Sequence, residues 1–309
     1  MRILVVGAGS TGGYFGGRLA AAGRDVTFLV RPARAEALRA HGLQIVSPHG
    51  DLAVQPHLVT AGQIAAPFDA ILLTVKAYTL AAALDDLAPA VGPETLIMPV
   101  LNGMKHMDML AERFGPSAPI GGVCKVATTL DAQDRIVQLA PFQELAYGEM
   151  SGAPSPRTTR LHAAMQGAGF EARLTPTIER EMWEKWVFLA TLGATTCLMR
   201  GAIGEIAAAA GGTEIALAML DECVAVVTAA GHPPGAGVLA GLRTQMTTQG
   251  SPMTASLYRD LLQGRPVEAD QILGDMLVRA RQFGVAAPYL AAAVAQLSVY
   301  QNRLASPRS

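Results

Sequence analysis

The chain has 309 residues, half of them hydrophobic and 16% charged, which is ample apolar material for about two domains and no composition for disorder. Its 24 Lys and Arg against 25 Asp and Glu leave a formal net charge of −1, and aromatics are only 5%. That balance argues against nucleic acid or an anionic membrane as the main partner, and against base-stacking surfaces.

Cys124, Cys197 and Cys223 are widely spaced and form no CxxC pair, metal cluster or disulfide framework. No metal is expected, and a reduced, cytoplasmic setting follows from that usage. Mean hydropathy is +0.30, yet no stretch reaches about 18 uninterrupted apolar residues. The opening Met1-Arg2-Ile3-Leu4-Val5-Val6-Gly7 reads as a strand entering glycines, not as a signal peptide.

In chain order, strands are predicted at 3–6, 25–30, 70–75 and 95–100, with helices at 11–22, 32–40 and 78–87. Short apolar runs alternating with helices imply parallel strands covered on both faces. Polar-apolar alternation between 120 and 149 predicts antiparallel edge strands, followed by a loop at 151–156 and a helix at 157–167. Past Pro176 only helices are predicted, at 178–199, 213–230, 235–248, 267–283 and from 287 onward. The expected architecture is α/β: a Rossmann-type doubly wound sheet over 1–175, then an all-helical domain over 176–309.

Gly7-Ala8-Gly9-Ser10-Thr11-Gly12 is a G-x-G-x-x-G placed directly between a strand and a helix. The first glycine permits the turn, the second admits a pyrophosphate, and the third lets helix pack on strand. Backbone N–H groups and the helix dipole would then hold the phosphates. Gly13, Gly16 and Gly17 extend the thin face. The second strand ends in Val30-Arg31-Pro32-Ala33-Arg34, where a chain selecting NAD places Asp or Glu. A guanidinium suits a 2′-phosphate, so Arg31, helped by Arg34, points to NADPH; the plainer alternative is a solvated loop arginine. Lys76 and Asn102 follow two further strands, so Gly7, Arg31, Lys76 and Asn102 are expected along one crevice.

In the helical half, Lys185 lies between the two tryptophans, Trp183 and Trp186, in Glu181-Met-Trp-Glu-Lys-Trp186. Partial burial against such rings lowers a lysine's pKa and makes it a proton donor near neutrality; a surface Glu181–Lys185 pair is the alternative. Ser256 and Glu268 add a hydroxyl and a carboxylate on neighbouring helices, although Glu268 could simply match a helix dipole. His106 is a reserve acid–base candidate.

Taken together, the fingerprint, Arg31, Lys76, Asn102-Gly103-Met104, Trp183-Glu184-Lys185 and Ser256…Gly264-Arg265…Glu268-x-Asp270 resemble the ketopantoate reductase family nearly end to end. The resemblance implies that Lys185 is the catalytic lysine and that Asn102 sits beside nicotinamide and substrate. It implies that Glu268 binds substrate and supports Lys185, and that Ser256 contacts the substrate carboxylate. It also implies NADPH as cofactor, a small 2-oxo acid as substrate, pantothenate biosynthesis as the setting, and leaves a homodimer open. The chain departs from the family pattern at Leu189 and Gly193, where asparagines four and eight residues after the lysine are usual, and at Ile203. Thr196, eleven residues after Lys185, returns to the same helix face and is the candidate for a replacement hydroxyl. Thr191 and Thr195 turn away from it.

The expected activity is NADPH-dependent reduction of ketopantoate or a related 2-oxo acid, with hydride delivered to the ketone carbon and a proton from Lys185. The alternatives are a hydroxy-acid dehydrogenase with a more apolar substrate, and a non-catalytic NADPH-binding sensor.

Overall fold

The computed structural model describes residues 1–306. Backbone contacts divide the chain into two compact units, one of Met1–Leu101 with His106–Glu179, the other of Asn102–Lys105 with Arg180 onward.

The first unit begins β1 (Arg2–Val6), α1 (Ser10–Ala21), β2 (Asp25–Leu29), α2 (Pro32–His41), β3 (Leu43–Val46), β4 (Leu52–Val54) and β5 (His57–Val59). It continues with β6 (Ala70–Leu73), α3 (Leu80–Leu87), β7 (Leu96–Pro99) and α4 (Lys105–Phe114). It ends with β8 (Gly121–Leu130), β9 (Ile136–Gly148), α5 (Pro156–Met165) and β10 (Glu171–Leu174). Five strands form one parallel sheet in the order β5-β2-β1-β6-β7. This is a Rossmann-type order, in which the sheet reverses direction of growth at β1 and β6 and opens a crevice there. β1, β6 and β7 are buried almost throughout, as strands covered on both faces must be.

The 120–149 region is not an edge of that sheet. β9 is thirteen residues long and pairs with β8 antiparallel and with β3 and β10 parallel, forming a second five-stranded sheet. The glycines of α1 explain how two sheets sandwich one helix. A Cβ on Gly16 would lie 2.7 Å from the Phe28 ring on the first sheet. On Gly13 it would lie 2.4 Å from Ile136 Cδ1, and on Gly17 2.7 Å from Leu43 Cδ2, both on the second sheet. Tyr14 and Phe15, wholly buried, join Val5, Phe28, Ile136 and Tyr147 in the resulting core. A second core covers the opposite face, where Leu4, Ile71 and Leu73 meet Leu80, Leu84 and Leu110.

The second unit holds α6 (Ile178–Met199), α7 (Ile203–Ala208), α8 (Gly212–Ala229), α9 (Ala236–Thr247) and α10 (Ser256–Leu262). A π-helical segment (Asp270–Gly274) then leads into α11 (Asp275–Gln282), and α12 (Pro288–Ala305) closes the described chain. The helix expected from 267 starts later than the sequence suggests, with Val267 and Glu268 still outside it. Its first turns are wound as π-helix, a local form that recurs at functional sites.

Candidate active site

At the carboxyl ends of β1, β2 and β6 the first unit carries a cleft of about 580 Å³, a size suited to small-molecule and cofactor sites. Gly7, Gly9, Arg31, Arg34, Thr74 and Lys76 line it, with Tyr78, Asp86 and Asp134. Gly7 turns the chain at φ +95°, a conformation that favours glycine. Gly9 is the N-cap of α1, makes no side-chain cap, and has open space where a Cβ would stand. The N–H groups of Ser10, Thr11 and Gly12 in the first helical turn have no intrahelical acceptor by geometry, which is the donor set a phosphate uses. Gly12 is buried, its Cα packed on Thr74.

Arg31 caps α2 in extended conformation and is exposed at the rim. Lys76 follows β6 and anchors a 3-10 turn, its carbonyl accepting from both the N–H and the hydroxyl of Thr79, each at 2.9 Å. No sequence motif marks Thr74, Tyr78 or Asp134. Asp134 reaches the cleft from the β8–β9 turn, more than a hundred and twenty residues after the fingerprint, so no local pattern marks it.

Asn102 does not line this cleft. It groups with the helical unit, where its carbonyl accepts from Gln271 Nε2 at 3.1 Å. Gly103, at φ +84°, lies so close that a Cβ would stand 2.6 Å from the Gln271 carbonyl oxygen. The same π-helical segment receives α6: Trp186 Nε1 donates to the Ile272 carbonyl at 2.9 Å, fixing the residue next to Lys185. Glu268, 8% exposed, lies two residues before that segment. The segment thus gathers Asn102, the Lys185 region of α6 and Glu268. Ser256 begins α10, whose Leu257 packs nearby at Gly193.

Lys185 is half-buried. The cation lying over both tryptophan rings, however, is Arg279, 5.6 Å from the Trp183 centroid and 5.5 Å from that of Trp186. Arg279 Nε is held by Asp275 at 3.1 Å, and Trp183 also stacks on His232 at 4.3 Å. The tryptophans are three residues apart on one helix face, which Lys185 does not share. His106 is wholly buried in α4.

Two family models, described as ketopantoate reductase PanE/ApbA and its C-terminal part, match residues 3–152 and 177–301. A Bacillus subtilis protein, described as uncharacterized oxidoreductase YkpB, is 34% identical over 301 residues, covering 97% of this chain and 99% of that one. The chain belongs to the ketopantoate reductase family. Among solved structures, a 2-dehydropantoate 2-reductase from Methylococcus capsulatus has a TM-score of 0.87 at 28% identity, covering 99% of each chain. A D-mandelate dehydrogenase, solved with NADH and anilino(oxo)acetate, shares the fold at TM-score 0.87 and 20% identity, over 99% of this chain and 100% of that one.

This oxidoreductase of the ketopantoate reductase family carries Leu189 and Gly193 along the Lys185 face of α6. A Cβ on Gly193 would meet Leu257 Cδ2 at 3.5 Å and Leu273 Cδ2 at 3.9 Å, so this position is walled by leucines. Thr196 does not offer a replacement hydroxyl. It is wholly buried, and its Oγ1 donates to the Leu192 carbonyl at 2.7 Å, one turn back. Thr191 and Thr195 are buried as well. Among the described residues no His, Cys, Asp and Glu group could hold a metal ion, and no helix is long and apolar enough to cross a membrane.

Proposed function

We propose that this chain reduces a 2-oxo acid to the 2-hydroxy acid with NADPH, ketopantoate being the first substrate to test. The reading rests chiefly on one observation: an uncapped helix N-terminus at bare Gly9 shares its cleft with Arg31, Arg34 and Lys76. The helix N-terminus suits a pyrophosphate, and the guanidinium of Arg31 suits a 2′-phosphate in charge and planar geometry. NADPH, when bound, supplies the hydride.

The chain's own residues supply the rest of the chemistry. Lys185 gives a proton to the alkoxide that develops at the reduced carbonyl. Glu268, buried beside the π-helical segment, binds substrate and orients the lysine. Ser256 contacts the substrate carboxylate, and Asn102 holds substrate beside the nicotinamide. Leu189 and Gly193 where the family resemblance leads one to expect asparagines, with Leu257 and Leu273 beside Gly193, favour a second reading, a 2-oxo acid with a more apolar tail than ketopantoate. We place the domain boundary near Thr175 and the enzyme in the cytoplasm, with a homodimer as the assembly to test.

The experiment is NADPH consumption with ketopantoate and a panel of 2-oxo acids, alongside calorimetric titration with NADPH and NADH. Turnover of an oxo acid with NADPH supports the reading. Tight NADPH binding without turnover of any oxo acid would leave a sensor, and binding of neither nucleotide would refute it.

A further inference from the structure

Arg34 cannot act at the cleft as an isolated helper of Arg31, because the turn between β8 and β9 engages it. Its Nη1 lies 3.4 Å from Asp134 Oδ2, and its Nη2 donates to the Asp134 carbonyl at 3.5 Å. Its Nε donates to the Ala8 carbonyl at 3.3 Å, so one guanidinium spans from the glycine loop to the turn. Asp134 stands at φ +59°, and Asp131 builds the turn around it by accepting from the N–H groups of Gln133 and Arg135 at 3.0 and 2.9 Å. Both partners line the same cleft as Arg31 and Lys76.

We propose that Asp134 sets the nucleotide selectivity of this cleft by holding Arg34 in an ion pair that a 2′-phosphate must displace and a 2′-hydroxyl need not. The inference rests on the reading that the cleft takes the adenosine end of a nicotinamide dinucleotide. A 2′-phosphate and the Asp134 carboxylate compete for one guanidinium and repel each other across the rim. A 2′-hydroxyl brings no charge and can donate to the carboxylate, which is the service an acidic residue at the end of β2 performs in NAD-selective chains. Here the carboxylate comes from the second sheet instead. The pair is weak enough to open, since the Asp134 side chain is 65% exposed and the Arg34 side chain 21%. Asp134 therefore narrows the preference for NADPH that Arg31 creates.

The test compares NADPH and NADH, which differ only by the 2′-phosphate, in calorimetric titrations of the full chain. Asp134→Asn removes the charge and keeps a residue that tolerates positive φ. Asp134→Gly serves as the second variant should the first fail to fold. The expected result is NADPH binding tightened about two- to tenfold, with NADH binding unchanged or weaker, an effect that fades at high salt. If both nucleotides lose affinity equally, or their ratio stays fixed, Asp134 only shapes the turn and the proposal is overturned while the cleft reading stands. Binding of neither nucleotide by the unmodified protein would overturn both.

Discussion

The hydroxyl of Thr74 occupies the place where Gly12 would carry a side chain. Thr74 Oγ1 donates to the carbonyls of Val6 and Gly7 at 2.8 and 2.9 Å, tying β6 to the glycine loop. A Cβ on Gly12 would fall 2.1 Å from that oxygen and 2.2 Å from the Gly7 carbonyl oxygen. Gly12→Ala should therefore lower stability by about 1–3 kcal/mol, the usual range for overpacking, and weaken nucleotide binding as the loop shifts. Adding Thr74→Ala should not restore it, since the Gly7 backbone clash remains. Thermal denaturation of the single and double variants checks both points.

Arg31→Ala should separate the two nucleotides. Losing a charge-assisted contact to the 2′-phosphate is worth about 1.5–3 kcal/mol, so NADPH affinity should fall roughly ten- to a hundredfold. NADH affinity should stay nearly constant. An equal loss for both in titration would make Arg31 a structural cap of α2.

For catalysis, Lys185→Ala should lower kcat by about a hundredfold or more, as expected of a proton donor in the transition state. NADPH affinity should persist, because every residue lining the nucleotide cleft belongs to the first unit. Glu268→Ala should chiefly raise KM, with a smaller loss of kcat if it orients the lysine. Steady-state kinetics with a separate binding titration distinguishes these outcomes, and a Lys185→Ala enzyme with nearly full kcat removes the lysine from the mechanism.

Gly193 offers a stability test and a specificity test at once. A Cβ there meets Leu257 and Leu273 only at ordinary contact distances. Replacing glycine by alanine inside a helix then gains about 0.5–1 kcal/mol, so Gly193→Ala should unfold at higher temperature. If the position borders substrate, the same change should raise KM. In the unmodified enzyme, kcat/KM for 2-oxo acids lacking a terminal hydroxyl should exceed that for ketopantoate. A value for ketopantoate of about 10⁴ M⁻¹s⁻¹ or more, with clear preference over the others, would defeat that expectation.

A pH dependence follows from the link between β9 and α5. Arg157 donates to both carboxylate oxygens of Glu149, Nε at 2.8 Å and Nη2 at 2.6 Å, and Ser155 Oγ donates to the same carboxylate at 2.5 Å. The Arg157 hydrogen bonds hold the Glu149 carboxyl below its ordinary pKa despite its burial. A carboxyl depressed in the folded state contributes stability above its unfolded pKa, and that contribution is lost as pH falls through the folded value. Below about pH 4.5 the wild type should therefore lose stability more steeply than Glu149→Gln, whose stability should be lower at neutrality. Urea melts at several pH values read the difference.

Local pattern was enough for much of this molecule. The glycine fingerprint needs only its own residues to specify a turn and a helix start, and the β1–α1–β2 unit follows from it. The 22-residue α6 is legible because its periodicity is contained in its own stretch, and Arg31 at the end of β2 already carries the charge that argues for NADPH. What stayed hidden depends on partners remote in sequence. β3, β4 and β10 are three or four residues long and make sense only beside one another or β9, so no window of sequence marks them as a second sheet. Gln271 meets the Asn102 carbonyl across 169 positions, and Arg34 meets Asp134 across 100. The hydroxyl of Thr196 has the right helical phase for a pocket, but burial turned it onto its own backbone. Sequence fixes which chemistry is available along each element; only tertiary packing decides which groups meet, because a pairing energy depends on a distance that chain order does not contain.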